Sequence, residues 1–210
     1  MSQPHHAHRI KHEPVWHPVQ RFTAGQLPQQ IRYWLLDDGS LTSRLIAASA
    51  GQFAVQRLYQ GWQVPLPSER RLLGLPAREL ALIREVALLG GSSEAVVYAR
   101  SVFPLSCLTG SLGHLRGLQN KPLGAILFKH PGMHRSPFEL SELAGDCDYL
   151  PTALRQKESA WGRRSRFNIA GKSLMVSEVF LRNFTPWSNM APVHRTQRGK
   201  VSAANYAAKK

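Results

Sequence analysis

WGRRSRFNIAGKSLMVSEVFLR, residues 161–182, decides the fold, because it reads as a β-hairpin that carries charges where a hairpin does not need them. Its second half alternates. Leu174, Val176 and Phe180 share one face with Glu178, and Met175, Ser177, Val179 and Leu181 take the other. Arg163, Arg164 and Arg166 lie in the facing half, across an Ala170-Gly171-Lys172-Ser173 turn. A carboxylate on an apolar face must be paired, hydrogen-bonded or protonated, which singles out Glu178.

A second hairpin repeats the pattern with the opposite sign. In RELALIREVALL, residues 78–89, Leu80, Leu82, Val86 and Leu88 make an apolar face with Arg84 in its middle. After a Gly90-Gly91-Ser92-Ser93 turn, Val96, Tyr98 and Val102 share a face with Arg100. Arginines at 84 and 100 and a glutamate at 178 are complementary. A buried Arg–Glu pair that only fixes strand register would account for them. The functional reading is an enclosed cavity whose arginines grip a ligand carboxylate bidentately and whose glutamate meets a ligand hydroxyl.

Outward from the hairpins, residues 26–36 read as a short helix with Ile31, Trp34 and Leu35 on one face, and Ser40 caps a second helix through Leu41, Leu45 and Ile46. Residues 53–64 read as a strand, and PLPSERRLLGLPAREL as a connection crossing the surface. Residues 105–127 are expected to be largely helical, with breaks at Gly113, Gly117 and Pro122. Residues 129–158 are expected to form loops and short helices over one end of the sheet, where lids tend to lie.

At 210 residues and 43% hydrophobic, the chain suits one globular domain with a real core. The domain is expected over residues 26–182, behind a polar extension at 1–25 and ahead of a basic, disordered tail at 183–210. The net charge of +14 raises the question of nucleic acid, but the tail alone holds five basic residues and no acidic one. No strand interleaves aromatics with basic residues, so nucleic acid is not an expected partner. No apolar run approaches the roughly 20 residues of a membrane span, and the start lacks an apolar signal region; the protein is expected in the cytoplasm. Cys107 and Cys147 give neither a disulfide framework nor a zinc spacing. His5, His6, His8, His12 and His17 have no Cys or acidic ligand to complete a site, so no functional metal is expected.

Taken together, LIREVALL, YARSVFP, KPLGAILF, WGRRSRF and SEVFL, in this order across residues 26–181, resemble the chorismate pyruvate-lyases of the ubiquinone pathway, which make 4-hydroxybenzoate. The resemblance implies an α+β fold: a single antiparallel sheet of about six strands, helices packed against it, and an internal cavity closed by two helical flaps. It implies that Arg84 binds the ring carboxylate and that Glu178 hydrogen-bonds the hydroxyl that becomes phenolic. It also implies that the Leu123 backbone helps hold the ligand and that Arg100 faces the enolpyruvyl carboxylate. In DDGSLTSRL the family's pocket methionine is replaced by Leu41, a swap close in volume.

Chorismate is a dianion whose ring becomes aromatic on losing the enolpyruvyl ether and a neighbouring ring proton. Aromatisation drives the reaction, so no cofactor is expected, and the chain has no Gly-rich phosphate loop after a strand and no paired-His zinc motif. The protein's part is to hold the reactive conformer and stabilise charge on the departing oxygen. Glu178 is expected to stay ionised beside Arg84. The product keeps the carboxylate and gains a phenol, so its release is expected to limit turnover. The family also implies a monomer; transient contact with a membrane prenyltransferase is a conceivable route for the product, on which the sequence is silent. The alternative is a non-catalytic domain of the same fold that binds aromatic carboxylates, as in the effector domains of some bacterial regulators. Those follow a helix-turn-helix, for which the N-terminal stretch is too short.

Overall fold

The hairpin at 161–182 forms as its alternation predicts, on a tighter turn. In the computed structural model, which describes residues 10–49, 52–91 and 93–185, the turn is only Ala170 and Gly171, with φ of +50° and +77°. Two successive left-handed residues match the strand twist of a two-residue hairpin. Lys172 and Ser173, expected in the turn, already pair with Ile169 and Asn168.

The elements in chain order are β1 (His17–Pro18), α1 (Arg32–Leu36), α2 (Leu41–Ala48), β2 (Phe53–Gln63), α3 (Pro67–Leu73), β3 (Ala81–Gly90), β4 (Ala95–Pro104), α4 (Gly124–Leu127), β5 (His134–Arg135), β6 (Glu139–Leu143), β7 (Ala160–Ile169) and β8 (Lys172–Phe180). All pairings are antiparallel, in the order β1-β6-β7-β8-β4-β3-β2, with β5 also on β7. The fold is α+β as expected, with eight strands in place of about six; β1 and β5 are two-residue pairings at the β7 side.

Both faces of the sheet are covered. On one, α1 and α2 bring Trp34, Leu35, Leu41 and Leu45 against Val86, Val97 and Phe180, and residues 105–127 bring Leu112, Leu115 and Leu127 against Phe103, Phe167 and Leu174. On the other, Leu73 of α3 meets Ile83, Val102 and Met175, while Tyr149 and Leu150 meet Tyr98 and Val179. Central strands buried on both faces therefore read as nearly continuous apolar runs.

Four local expectations change. The connection after β2 contains α3, started by Pro67 at its first turn and stopped by Gly74 at φ +68°. Residues 105–117 form 3₁₀ turns, Leu105–Cys107 and Gly110–Gly117, where three glycines remove helix propensity. The 129–158 stretch contributes β5 and β6 to the sheet as well as loops. From Ile10 onward the expected extension packs on the domain: Trp16 meets Tyr149, and Val19 and Phe22 join the core beside α1. His5, His6, His8 and the tail from residue 186 lie outside the described residues.

Candidate active site

Strand register decides which charged side chains meet. β3 pairs Arg84 with Ser101, β4 pairs Ser101 with Val176, and β8 pairs Val176 with Ser165 of β7, so these four form one transverse row on the face covered by α1, α2 and α4. The next row runs Val86, Ala99, Glu178, Arg163 and Leu140. Arg84 and Glu178 therefore share a face, two strands and two residues apart, with Cα atoms about 12 Å apart by strand spacing. They line a recess with Ser40, Leu41 and Thr42 at the start of α2, Leu123, Gly124, Leu127 and Phe128 around α4, and Arg135, Phe167 and Val176.

Arg84 is buried, 2% exposed, and ties down the bend ahead of α4. Its Nε and Nη2 donate to the Gln119 carbonyl at 3.2 and 2.8 Å, and Nη2 donates to the Lys121 carbonyl at 2.9 Å. Gln119 sits at φ +44°, so the guanidinium stabilises a left-handed turn that no glycine relieves. Nη1 has no hydrogen-bond partner among the described residues. Burial, with Arg57 nearby, lowers the Arg84 pKa to about 10.

Glu178 is held by Arg163, not by Arg84. Arg163 Nε donates to Glu178 Oε2 at 2.7 Å, while its Nη1 donates to the Asp37 carbonyl at 2.6 Å and to the Trp34 carbonyl, and its guanidinium lies 4.8 Å over the Phe138 ring. This locks the carboxylate's orientation. Glu178 Oε1 has no partner among the described residues, leaving one acceptor for a ligand.

Arg100 is not brought to the recess. The β3–β4 register pairs it with Glu85 and puts it on the opposite face. There Nη1 donates to Glu85 Oε1 at 2.6 Å, and Nε and Nη2 donate to Glu69 of α3 at 2.8 and 3.2 Å. Burial works against the charge, but Glu69 and Glu85 together hold this guanidinium well above its usual pKa. Arg100 therefore does not face the recess, where the resemblance implies contact with an enolpyruvyl carboxylate, and instead anchors α3 to the sheet.

Arg135 is a recess residue that the sequence barely signals. It is 5% exposed, comes from the two-residue β5 and lines the recess. Its only signal was an arginine between Met133 and Phe138, in a stretch with no sustained period. The seam over the recess was equally illegible: a Cβ on Gly124 would lie 2.9 Å from Ser40 Oγ and 3.1 Å from Thr42 Oγ1, so α2 and α4 close directly on each other. Among the described residues, no group of three or more His, Cys, Asp or Glu is placed to hold a metal ion, and no helix is long and apolar enough to cross a membrane.

A protein named "Probable chorismate pyruvate-lyase" from Aromatoleum aromaticum is 40% identical over 182 residues, covering 81% of this chain and 93% of its own. One of the same name from Methylococcus capsulatus is 42% identical over 151 residues, covering 70% and 92%. Among solved structures, the ligand-binding domain of a GntR-family regulator from Bordetella bronchiseptica aligns at a TM-score of 0.49 and 13% identity, covering 68% of this chain and 92% of that one. The family model for chorismate lyase matches residues 12–190, which takes in every strand of the sheet and the whole recess, and the chain belongs to the chorismate lyase family.

Proposed function

We propose that the chain is a chorismate pyruvate-lyase that works without a cofactor, converting chorismate to 4-hydroxybenzoate and pyruvate as the first committed step of ubiquinone biosynthesis. The observation that carries this is the recess of a chorismate lyase family member in which Arg84 keeps Nη1 open and Glu178 keeps Oε1 open on adjacent rows of one face. The proposed pose sets the carboxylate of a para-substituted ring on Arg84 and its hydroxyl on Glu178, in a recess that must widen to admit it. Leu123 and Leu41 close over it from α4 and α2.

In the reaction the bond between the ring and the ether oxygen breaks, and its electron pair leaves with that oxygen. The hydrogen on the neighbouring hydroxyl-bearing carbon departs as a proton, and its C–H pair completes the aromatic ring. The released enolpyruvate takes a proton on its methylene carbon to become pyruvate. Arg84 fixes the carboxylate end and Glu178, oriented by Arg163, fixes the hydroxyl, so binding energy selects the reactive conformer. The free volume of the recess is about 40 Å³, far below the roughly 300–1,000 Å³ of open ligand pockets. Admitting a ligand therefore requires the recess to widen; the α2–α4 seam is the proposed place, and slow product release is the consequence. Action as a monomer rests on the family resemblance, and a cytoplasmic site on the lack of a membrane-spanning run or apolar signal region in the sequence; transient transfer of product to a membrane prenyltransferase is part of the same proposal.

Purified protein with chorismate, pyruvate being followed through lactate dehydrogenase, tests the reading. Pyruvate and 4-hydroxybenzoate in equal amounts are expected. Binding of 4-hydroxybenzoate without any pyruvate release would make the chain a binding domain instead.

A further inference from the structure

We propose that Arg135 forms a second anionic subsite of the recess and takes the enolpyruvyl carboxylate of chorismate; this rests on the lyase reading above. Arg135 is held in place by neutral groups. Its Nε donates to Ser165 Oγ at 2.7 Å, and Nη1 reaches the Asp38 and Gly39 carbonyls only at 3.4 and 3.5 Å. The guanidinium lies over three phenyl rings, 4.2 Å from Phe138, 4.9 Å from Phe167 and 5.9 Å from Phe128. Among the described residues no carboxylate is hydrogen-bonded to it. A charge desolvated this far is costly unless something balances it.

The register pairs it with Phe167, and its bond to Ser165 sets it across the recess from Arg84. Ser165, its anchor, ends the row that begins at Arg84, three strands away across the recess. With Arg163 set against Glu178 and Arg44 against Asp37, two positive charges remain on the lining, Arg84 and Arg135. Chorismate carries two carboxylates and 4-hydroxybenzoate one. A lining of this charge holds the substrate at both ends and keeps only one grip on the aromatic product. Pyruvate leaves with the carboxylate that Arg135 held.

Arg135→Met, close in volume and uncharged, separates the two grips. In pyruvate release, kcat/KM for chorismate is expected to fall roughly a hundredfold, while the Kd for 4-hydroxybenzoate stays within about threefold of wild type. Arg84→Met is expected to weaken both. Because no carboxylate is hydrogen-bonded to the guanidinium among the described residues, the Tm of Arg135→Met should match or exceed that of wild type. The facing charges are Arg163, Glu178, Asp37 and Asp38, and burial together with Arg163 lowers the Arg135 pKa to about 9. The alkaline fall in wild-type kcat/KM is therefore expected near pH 9, moving toward 10, the Arg84 value, in Arg135→Met. Equal losses for substrate and product, unchanged kcat/KM, or a lowered Tm with both ligands lost would overturn the subsite. If wild type releases no pyruvate, the lyase reading fails separately; equilibrium binding of chorismate to wild type and Arg135→Met then decides the subsite by the same ratio.

Discussion

The two faces of the sheet treat arginine in opposite ways. On the face under α3 a single transverse row runs Glu85, Arg100, Ser177, Arg164 and Glu139. Arg100 bonds two carboxylates there, and Arg164 bonds Glu139 at 2.7 Å and Ser68 of α3 at 2.7 Å. On the other face, Arg84, one row along, and Arg135, opposite Phe167, hydrogen-bond only carbonyls and a hydroxyl, and Arg135 also lies over rings. A balanced row holds the architecture. An unbalanced one stores a demand for anions, and the difference tells a structural arginine from a binding one when both are buried.

The largest expected effect breaks the balanced side. Arg100→Met leaves Glu69 and Glu85 buried without a counter-ion, and the chain should lose about 3–5 kcal/mol of stability, a drop of roughly 10 °C in Tm for a domain of this size. Denaturant unfolding measures it, and adding Glu69→Gln and Glu85→Gln should restore much of the loss. A near-neutral Arg100→Met would remove the contrast between the faces.

A smaller effect sharpens the ligand side. Gly124→Ala drives a methyl to within 2.9 Å of Ser40 Oγ, an overpacking that typically costs about 1–3 kcal/mol. If the closed form carries that cost, 4-hydroxybenzoate should dissociate about tenfold faster or more in stopped-flow. An unchanged release rate would mean that the seam between α2 and α4 is not the gate.

The same contrast explains what the sequence could and could not tell. Both hairpins were legible because alternation survives in them, and Arg84 and Glu178 stood out as charges on apolar faces. Arg100 stood out equally and was misassigned. Pairs such as 84 with 101 and 85 with 100 sum to an odd number, so even positions of β3 share a face with odd positions of β4. That parity is set by turn length and register, and with both faces buried composition does not reveal it. Glu178 meets Arg163, and not Arg164, by the same rule. Arg135 was illegible because two residues of pairing have no period. The α3 helix was readable, with Pro67 and Gly74 at its ends, yet its seven residues were submerged in a Pro-rich stretch.

A crystal structure of the chain with 4-hydroxybenzoate tests the central claim most directly. The account predicts the carboxylate on Arg84 Nη1 and the hydroxyl on Glu178 Oε1, with the Glu69–Arg100–Glu85 cluster untouched on the far face. A ligand seated against Arg100, or one reversed in the recess with its hydroxyl on Arg84, would contradict it.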